Sequence, residues 1–332
     1  MKKRGRGIAA SFYGTGYGNG FPDVSTATIG LEEDGRISIS VGASEVGQGA
    51  KTALCQIGAE ALNLNINDII LINEDSSKTP DSGTAAASRQ TYNTGNAVKL
   101  AIESFKSKLF EIVKEELNLN APIGLEIKDK VVFLKMFPAK RISFKKIAEN
   151  LRNKGKKLMV TENFIAQTTE MDAETGQGAP YWPYTFNCYG VEIEVDTETG
   201  KVDIVRAVCA QDVGRAINPS MVEGQIDGGF VMGLGYALFE DLGLKEGRIK
   251  NNKFSKYIIP TSLDIPEIEK IIIEDPESTG PYGAKGIGEP VMIPVAPAIL
   301  NAIYDAVGVR ITDLPATPEK ILRALNNEGS KF

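Results

Sequence analysis

One pattern occurs twice in this chain and constrains the core it can build. Thr26 to Leu31 alternates apolar and polar residues, turns at Asp34-Gly35, and resumes the alternation from Ile37 to Val41. A glycine turn, Glu45-Val46-Gly47-Gln48-Gly49-Ala50, follows, and apolar residues then recur at Ala53, Leu54, Ile57, Ala61 and Leu62. Gly190 to Val195, Thr199-Gly200, Val202 to Val208 and Asp212-Val213-Gly214-Arg215-Ala216 repeat that order, ahead of Val222, Ile226, Phe230, Met232 and Leu238. The apolar period changes from about 2 to about 3.6 across each glycine turn, so each copy reads as a hairpin, a tight turn and a helix. Asp-Gly and Thr-Gly are the turns such hairpins favour. A hairpin with one apolar face must cover it, so two copies predict an α+β fold of two lobes, each a mixed sheet with helices packed on it. Loops of the two lobes would meet in a cleft between them. The expected lobes are residues 1–155 and 156–332, joined near Asn150 to Lys157 or through the loop from Ala173 to Pro183.

Three glycine-rich segments carry the candidate chemistry. In the first, around Gly47, Gln48 and Gly49, a strand gives way to a helix start, where free N–H groups and the helix dipole can receive an anion or a polar heterocycle. Gln48 adds an amide that both donates and accepts. The second runs from Pro80 to Thr91, ahead of a helix read from Val98, Ala101, Ile102, Phe105, Leu109, Ile112 and Val113. Its small residues, Ala85, Ala86 and Ala87, expose the backbone, and Ser88, Arg89, Gln90 and Thr91 crowd polar groups at the helix entry. The third, Gly283-Ala284-Lys285-Gly286-Ile287-Gly288-Glu289-Pro290, sets one carboxylate on a turn that lets backbone approach a ligand closely, and Pro290 holds Glu289 out of helical geometry. Taken singly, each segment is equally readable as an ordinary turn.

Composition narrows the chemistry. The chain of 332 residues contains no histidine. That removes Ser-His-Asp and Cys-His catalysis, His-dependent zinc sites and haem ligation by histidine. Proton transfer falls to Asp, Glu, Lys or Tyr. Cys55, Cys188 and Cys209 are scattered and fit neither a disulfide framework nor a CxxC site. A net charge of −6 without a basic stripe argues against nucleic acid as a partner. The lack of a long apolar run or a signal-type h-region points to a cytoplasmic chain with no membrane partner.

Together the three segments resemble the second half of the molybdenum-binding subunit of the xanthine dehydrogenase and aldehyde oxidase family, over about Gly5 to Arg323. Glu45-Val46-Gly47-Gln48-Gly49 is similar to a Met-Gly-Gln-Gly segment that contacts molybdopterin, with Val46 in the Met place. Ala85-Ala86-Ala87-Ser88 resembles the loop passing beside the molybdenum, and Ser88-Arg89-Gln90-Thr91 a variant that holds the dinucleotide part of the cofactor. Gly224-Gln225-Ile226-Asp227-Gly228-Gly229 and Gly233-Leu234-Gly235 resemble a further family stretch. The resemblance implies Glu289 as general base, with Gly288 beside it, and no protein ligand to the metal. It implies a molybdenum-molybdopterin cofactor, in a cytosine dinucleotide form, and hydroxylation of an electron-poor carbon of an N-heterocycle, purine or nicotinate, with water as oxygen source. An aldehyde- or carbon-monoxide-oxidising member of the family, or a non-catalytic phosphate-binding module, are the alternatives.

Family subunits are more than twice this length, and the loops of their first half have no counterpart here. The chain therefore resembles one gene of a split subunit, as in nicotinate dehydrogenase. Its implied partners are a larger molybdenum-subunit fragment, an iron–sulfur subunit and an FAD subunit. Other residues have plainer readings. Asp212 reads as a turn residue, Lys285 as either an anion holder or a surface lysine, and Tyr181-Trp182-Pro183-Tyr184 as core packing, a substrate funnel or a contact with a partner chain. Lys145-Lys146 and Lys154 to Lys157 read as solvated surface.

Overall fold

A computed structural model describes residues 1–18 and 23–329, and within them both copies of the pattern form. The chain runs through β1 (Lys2–Gly14), the first hairpin β2 (Val24–Leu31) and β3 (Ile37–Val41), α1 (Ala50–Leu62) and β4 (Ile69–Ile72). After α2 (Gly95–Glu116), a small antiparallel sheet of β5 (Leu125–Lys128), β6 (Val131–Leu134) and β7 (Phe137–Ser143) leads into α3 (Phe144–Asn153) and β8 (Met159–Ile165). The second hairpin is β9 (Tyr184–Asp196) and β10 (Val202–Asp212), followed by α4 (Pro219–Leu234), a short ribbon of β11 (Leu244–Lys245) and β12 (Arg248–Ile249), and β13 (Ile268–Ile273). α5 (Val295–Val307) and α6 (Pro318–Gly329) close the chain.

Two four-stranded sheets share one topology, β8-β2-β3-β4 and β1-β9-β10-β13. Their last pairs, β3 with β4 and β10 with β13, are parallel, and the crossover each requires is supplied by α1 and α4. The fold is thus α+β with the repeated hairpin–helix unit that the periodicity predicts.

The outer strands are exchanged between the halves. β1 pairs with β9 from Lys2–Asp196 to Gly14–Tyr184, while β8 pairs with β2 from Val24–Ile165 to Gly30–Met159. A cut at 155/156 therefore parts both strands from the sheets they complete. Alternation identifies a strand but not the hairpin that receives it. α5 packs on β1 and β9 and accounts for the place of β1. A Cβ on Gly5 or Gly7 would lie 2.2 or 2.0 Å from the Ala302 or Ala298 carbonyl oxygen, so only glycine lets the helix seat there.

Each lobe has its own core. α2 buries Val98, Ala101, Ile102, Phe105, Leu109 and Val113 at helical spacing over β2 and β8. α5 does the same over the second sheet with Ala298, Ile299, Ala302 and Ile303. It begins at Val295, ahead of the expected start after Pro297, which fits in the first turn because its missing N–H would have had no intrahelical partner. Thr317 caps α6 as expected, its Oγ1 accepting the Lys320 N–H at 3.4 Å. The outer face of the second sheet is uneven. Lys2, Arg4 and Arg6 pair with Glu192 and Glu194 at one end, whereas Ile8, Phe12 and Phe186 stand 67%, 69% and 56% exposed at the other. Among the described residues no helix is long and apolar enough to cross a membrane.

Candidate active site

The second and third glycine-rich segments meet between the lobes. Ala87 and Ser88 adopt left-handed backbone (φ 56° and 52°), which non-glycine residues rarely do and which is concentrated at functional sites. The Glu289 loop holds them there. The Ala87 N–H donates to Glu289 Oε1 at 3.0 Å, and the Glu289 N–H donates to Ser88 Oγ at 2.9 Å. A Cβ on Gly286 would lie 1.7 Å from the Ser88 carbonyl oxygen, so the loops touch only because that residue is glycine. The other carboxylate oxygen, Oε2, accepts a hydrogen bond from the Tyr13 hydroxyl on β1. Burial foremost, then the bond to Glu289 and its charge, raises the Tyr13 pKa well above its ordinary value, so this phenol stays protonated.

Lys285 anchors the third segment from below. It is buried, and its ammonium pairs with Asp212 Oδ2 at 2.7 Å while Asp212 Oδ1 accepts the Gly214 N–H at 2.8 Å. Asp212 thus serves the turn, as its sequence context suggests. Lys285 is therefore not a surface lysine: its ammonium pairs with Asp212 on the wall of a cavity between the lobes.

The first segment behaves differently from its expectation. Glu45 turns back over the start of α1, Oε1 accepting from the N–H groups of Gly47 (2.9 Å) and Gly49 (2.8 Å) and Oε2 from Lys51 (3.0 Å). Burial alone would raise the Glu45 pKa, but these backbone donors outweigh it and hold the carboxyl below its usual range. The helix terminus expected to receive a ligand anion is already capped from within. Gln48 completes the loop, accepting the Val46 N–H at 2.7 Å and donating to the Ser44 carbonyl at 2.9 Å. One amide N–H and one lone pair of Gln48 remain for a ligand.

Two adjoining cavities, of about 90 and 240 Å³, run between the lobes and share Gln48, Gln90, Thr91, Gln225 and Ile287 as walls. The larger also takes Ala86, Ser88, Gly288 and Glu289, and the smaller takes Gly49. Gln90 is buried, yet neither its Oε1 nor its Nε2 has a hydrogen-bond partner in the protein. An unpaired buried amide costs about 1–3 kcal/mol, a cost that a polar group bonded to Gln90 would offset. A single π-type turn, Gln90–Thr94, starts the helical run and precedes α2, and such turns recur at functional sites.

Of the residues singled out by sequence, Gln48, Gly49, Ala86, Ser88, Arg89, Gln90, Thr91, Gly288 and Glu289 line this cleft. Gly47 lies exposed on the outside of its turn, and Ala87 contributes its N–H to Glu289. Arg89 differs from the others in how its side chain is used. Its guanidinium is fully buried and turned inward: Nε donates to Asp23, Nη1 to the Ser82 (2.7 Å) and Thr84 (3.3 Å) carbonyls, and Nη2 to the Val24 carbonyl (2.7 Å) and Ser25 Oγ (2.9 Å). With all five donors engaged, the guanidinium builds the loop from behind, while the residue itself forms part of the wall of the larger cavity. Gln225 lines both cavities and was legible in the Gly-Gln-Ile motif. Tyr13 stands in a plain strand and has no local sequence signal.

The chain matches the molybdopterin cofactor-binding domain family over residues 1–266. It is 33% identical to a xanthine dehydrogenase molybdenum-binding subunit of Escherichia coli, across 98% of this chain and 43% of that protein. It is 33% identical to an aldehyde oxidoreductase of Megalodesulfovibrio gigas, across 97% of this chain and 32% of that one. Among solved structures, quinoline 2-oxidoreductase of Pseudomonas putida 86 superposes with a TM-score of 0.84 at 25% identity, over 98% of this chain and 42% of the other. The chain thus spans less than half the length of these relatives.

Proposed function

Because the chain belongs to the molybdopterin cofactor-binding domain family, we propose that its interlobe cleft holds a molybdopterin and that Glu289 is the general base of a molybdenum hydroxylase. One observation carries this reading: the unpartnered Gln90 amide and the Glu289 carboxylate line the same cavity, so a polar ligand seated on the first lies beside the second. The residues fit a pterin. Its edge presents donors and acceptors in a row, and Gln90, Gln225 and the free half of the Gln48 amide offer the complement. The smaller cavity, walled by Gln48, Gln90, Thr91 and Asn218, is our assignment for the nucleotide of a cytosine dinucleotide form.

When bound, molybdenum would supply oxygen transfer from water and accept two electrons. This chain's part is to hold the cofactor and move one proton. Glu289 takes that proton on a carboxylate oxygen as the water-derived oxygen adds to the substrate carbon, and it must stay ionised until then. The substrate class we assign is an N-heterocycle with an electron-poor carbon, such as a purine, supported by similarity to the xanthine dehydrogenase protein of Escherichia coli. We assign the remaining loops of the cage to a larger molybdenum-subunit fragment, and onward electron transfer to iron–sulfur and FAD subunits. The relatives' greater length and the exposed apolar end of the second sheet support the first of these assignments.

Glu289→Gln keeps size and shape but accepts no proton. In the assembled, cofactor-loaded protein it should slow substrate-driven reduction by roughly 10²–10⁴-fold with molybdenum content unchanged. Stopped-flow reduction alongside metal analysis measures both, and a loaded variant reducing at the wild-type rate would remove Glu289 from the chemistry.

A further inference from the structure

We propose that Tyr13 is the positioning residue of Glu289, clamping one carboxylate oxygen through its hydroxyl while the Ala87 N–H clamps the other. This rests on Glu289 being the base. The geometry is that of a two-point grip. Oε2 receives the Tyr13 hydroxyl and Oε1 the Ala87 N–H at 3.0 Å, and the Glu289 backbone is tied to Ser88 Oγ at 2.9 Å. Donors on both oxygens fix the plane of the carboxylate as well as its position. A base held in this way loses little orientation freedom when substrate arrives.

The grip also joins the two halves of the exchanged topology. Tyr13 lies near the end of β1, opposite Thr185 of β9, whereas Ala87 and Ser88 belong to the first lobe's loop ahead of α2. The strand exchange therefore brings a phenol from the first residues of the chain to a carboxylate near its end. Exposed Phe12 points to the other face of the same strand, so the alternation of β1 directs Tyr13 inward.

Among the described residues, no cation pairs with Glu289 in this grip. Arg89, next along the loop, is spent on Asp23, and Lys285, four residues before Glu289, is spent on Asp212. The other groups facing Tyr13 are the Ser88 hydroxyl, which lowers its proton affinity, and Tyr181, which raises it slightly. Tyr13 and the Ala87 N–H are thus the groups that orient the Glu289 carboxylate.

Two measurements test this. In the loaded assembly, Tyr13→Phe should slow substrate-driven reduction by about 10-fold with molybdenum content and apparent substrate affinity unchanged, the loss expected when an oriented base is set free. Reduction at the wild-type rate overturns the proposal. If Glu289→Gln is slow while Tyr13→Phe is unmoved, only Tyr13 falls; if Glu289→Gln is itself fast, the base assignment falls. The second measurement needs no cofactor and no activity. In alkaline absorbance titrations of the chain, Glu289→Gln should show one tyrosine ionising at lower pH than in wild type, and Tyr13→Phe combined with Glu289→Gln should lack it. Identical tyrosine titrations of wild-type and Glu289→Gln chains overturn the contact itself.

Discussion

Arg89 and Gln90 are neighbours with opposite fates, and they separate structure from ligand binding. Gln90→Leu removes a buried amide that the protein leaves unpaired, so the empty chain should keep or gain stability. The same change should weaken cofactor retention by about 10–100-fold, one or two lost hydrogen bonds, and molybdenum content against urea midpoint measures the two together. Arg89→Ala instead leaves Asp23 buried and uncompensated, and should cost about 3–5 kcal/mol of stability before any question of binding arises. Sequence placed both residues at a polar helix entry but not the direction of either. That direction is set by the left-handed pair Ala87 and Ser88 and the π-type turn after them, which depend on the Glu289 loop some 200 residues away. Tyr13 was invisible for a related reason: its partner is supplied by tertiary pairing, and a tyrosine in an alternating strand is ordinary until the strand's neighbour is known.

At the scale of elements, hairpins and helices were legible because their periodicities differ and their turns are glycine-marked. The strand exchange was not legible, since β1 and β8 alternate like any half-buried strands. The cap of α1 was only half legible. Sequence marked a helix start, and the structure shows Glu45 filling it. Because the folded Glu45 pKa lies below its ordinary value, the unfolded chain binds more protons as pH falls. Its stabilising contribution is therefore full above the ordinary glutamate value, about 4.3, and is lost as pH drops through it toward the folded value. Glu45→Ala should cost about 1 kcal/mol at neutral pH, the worth of a helix cap, and should flatten the loss of stability on acidification. Urea unfolding followed between neutral and acid pH checks both, and a parallel pair of stability curves would count against the cap.

For the whole molecule, the cleft is walled on one side by loops of both lobes, and the uncovered apolar end of the second sheet lies along the strand that carries Tyr13. A partner seated on Ile8, Phe12 and Phe186 would cover a surface costly to leave in water. Replacing Phe12 and Phe186 together by Lys should leave the fold intact by circular dichroism, because both are exposed, and should abolish co-purification with the larger fragment. Co-purification at wild-type yield would place the partner elsewhere. The central claim, that these loops hold a molybdenum pterin, is tested most directly by quantifying molybdenum and released pterin in the natively purified assembly. The expected result is about one of each per chain, both reduced by Gln90→Leu. An assembly with its native partners, catalytically active and free of both molybdenum and pterin, would contradict it.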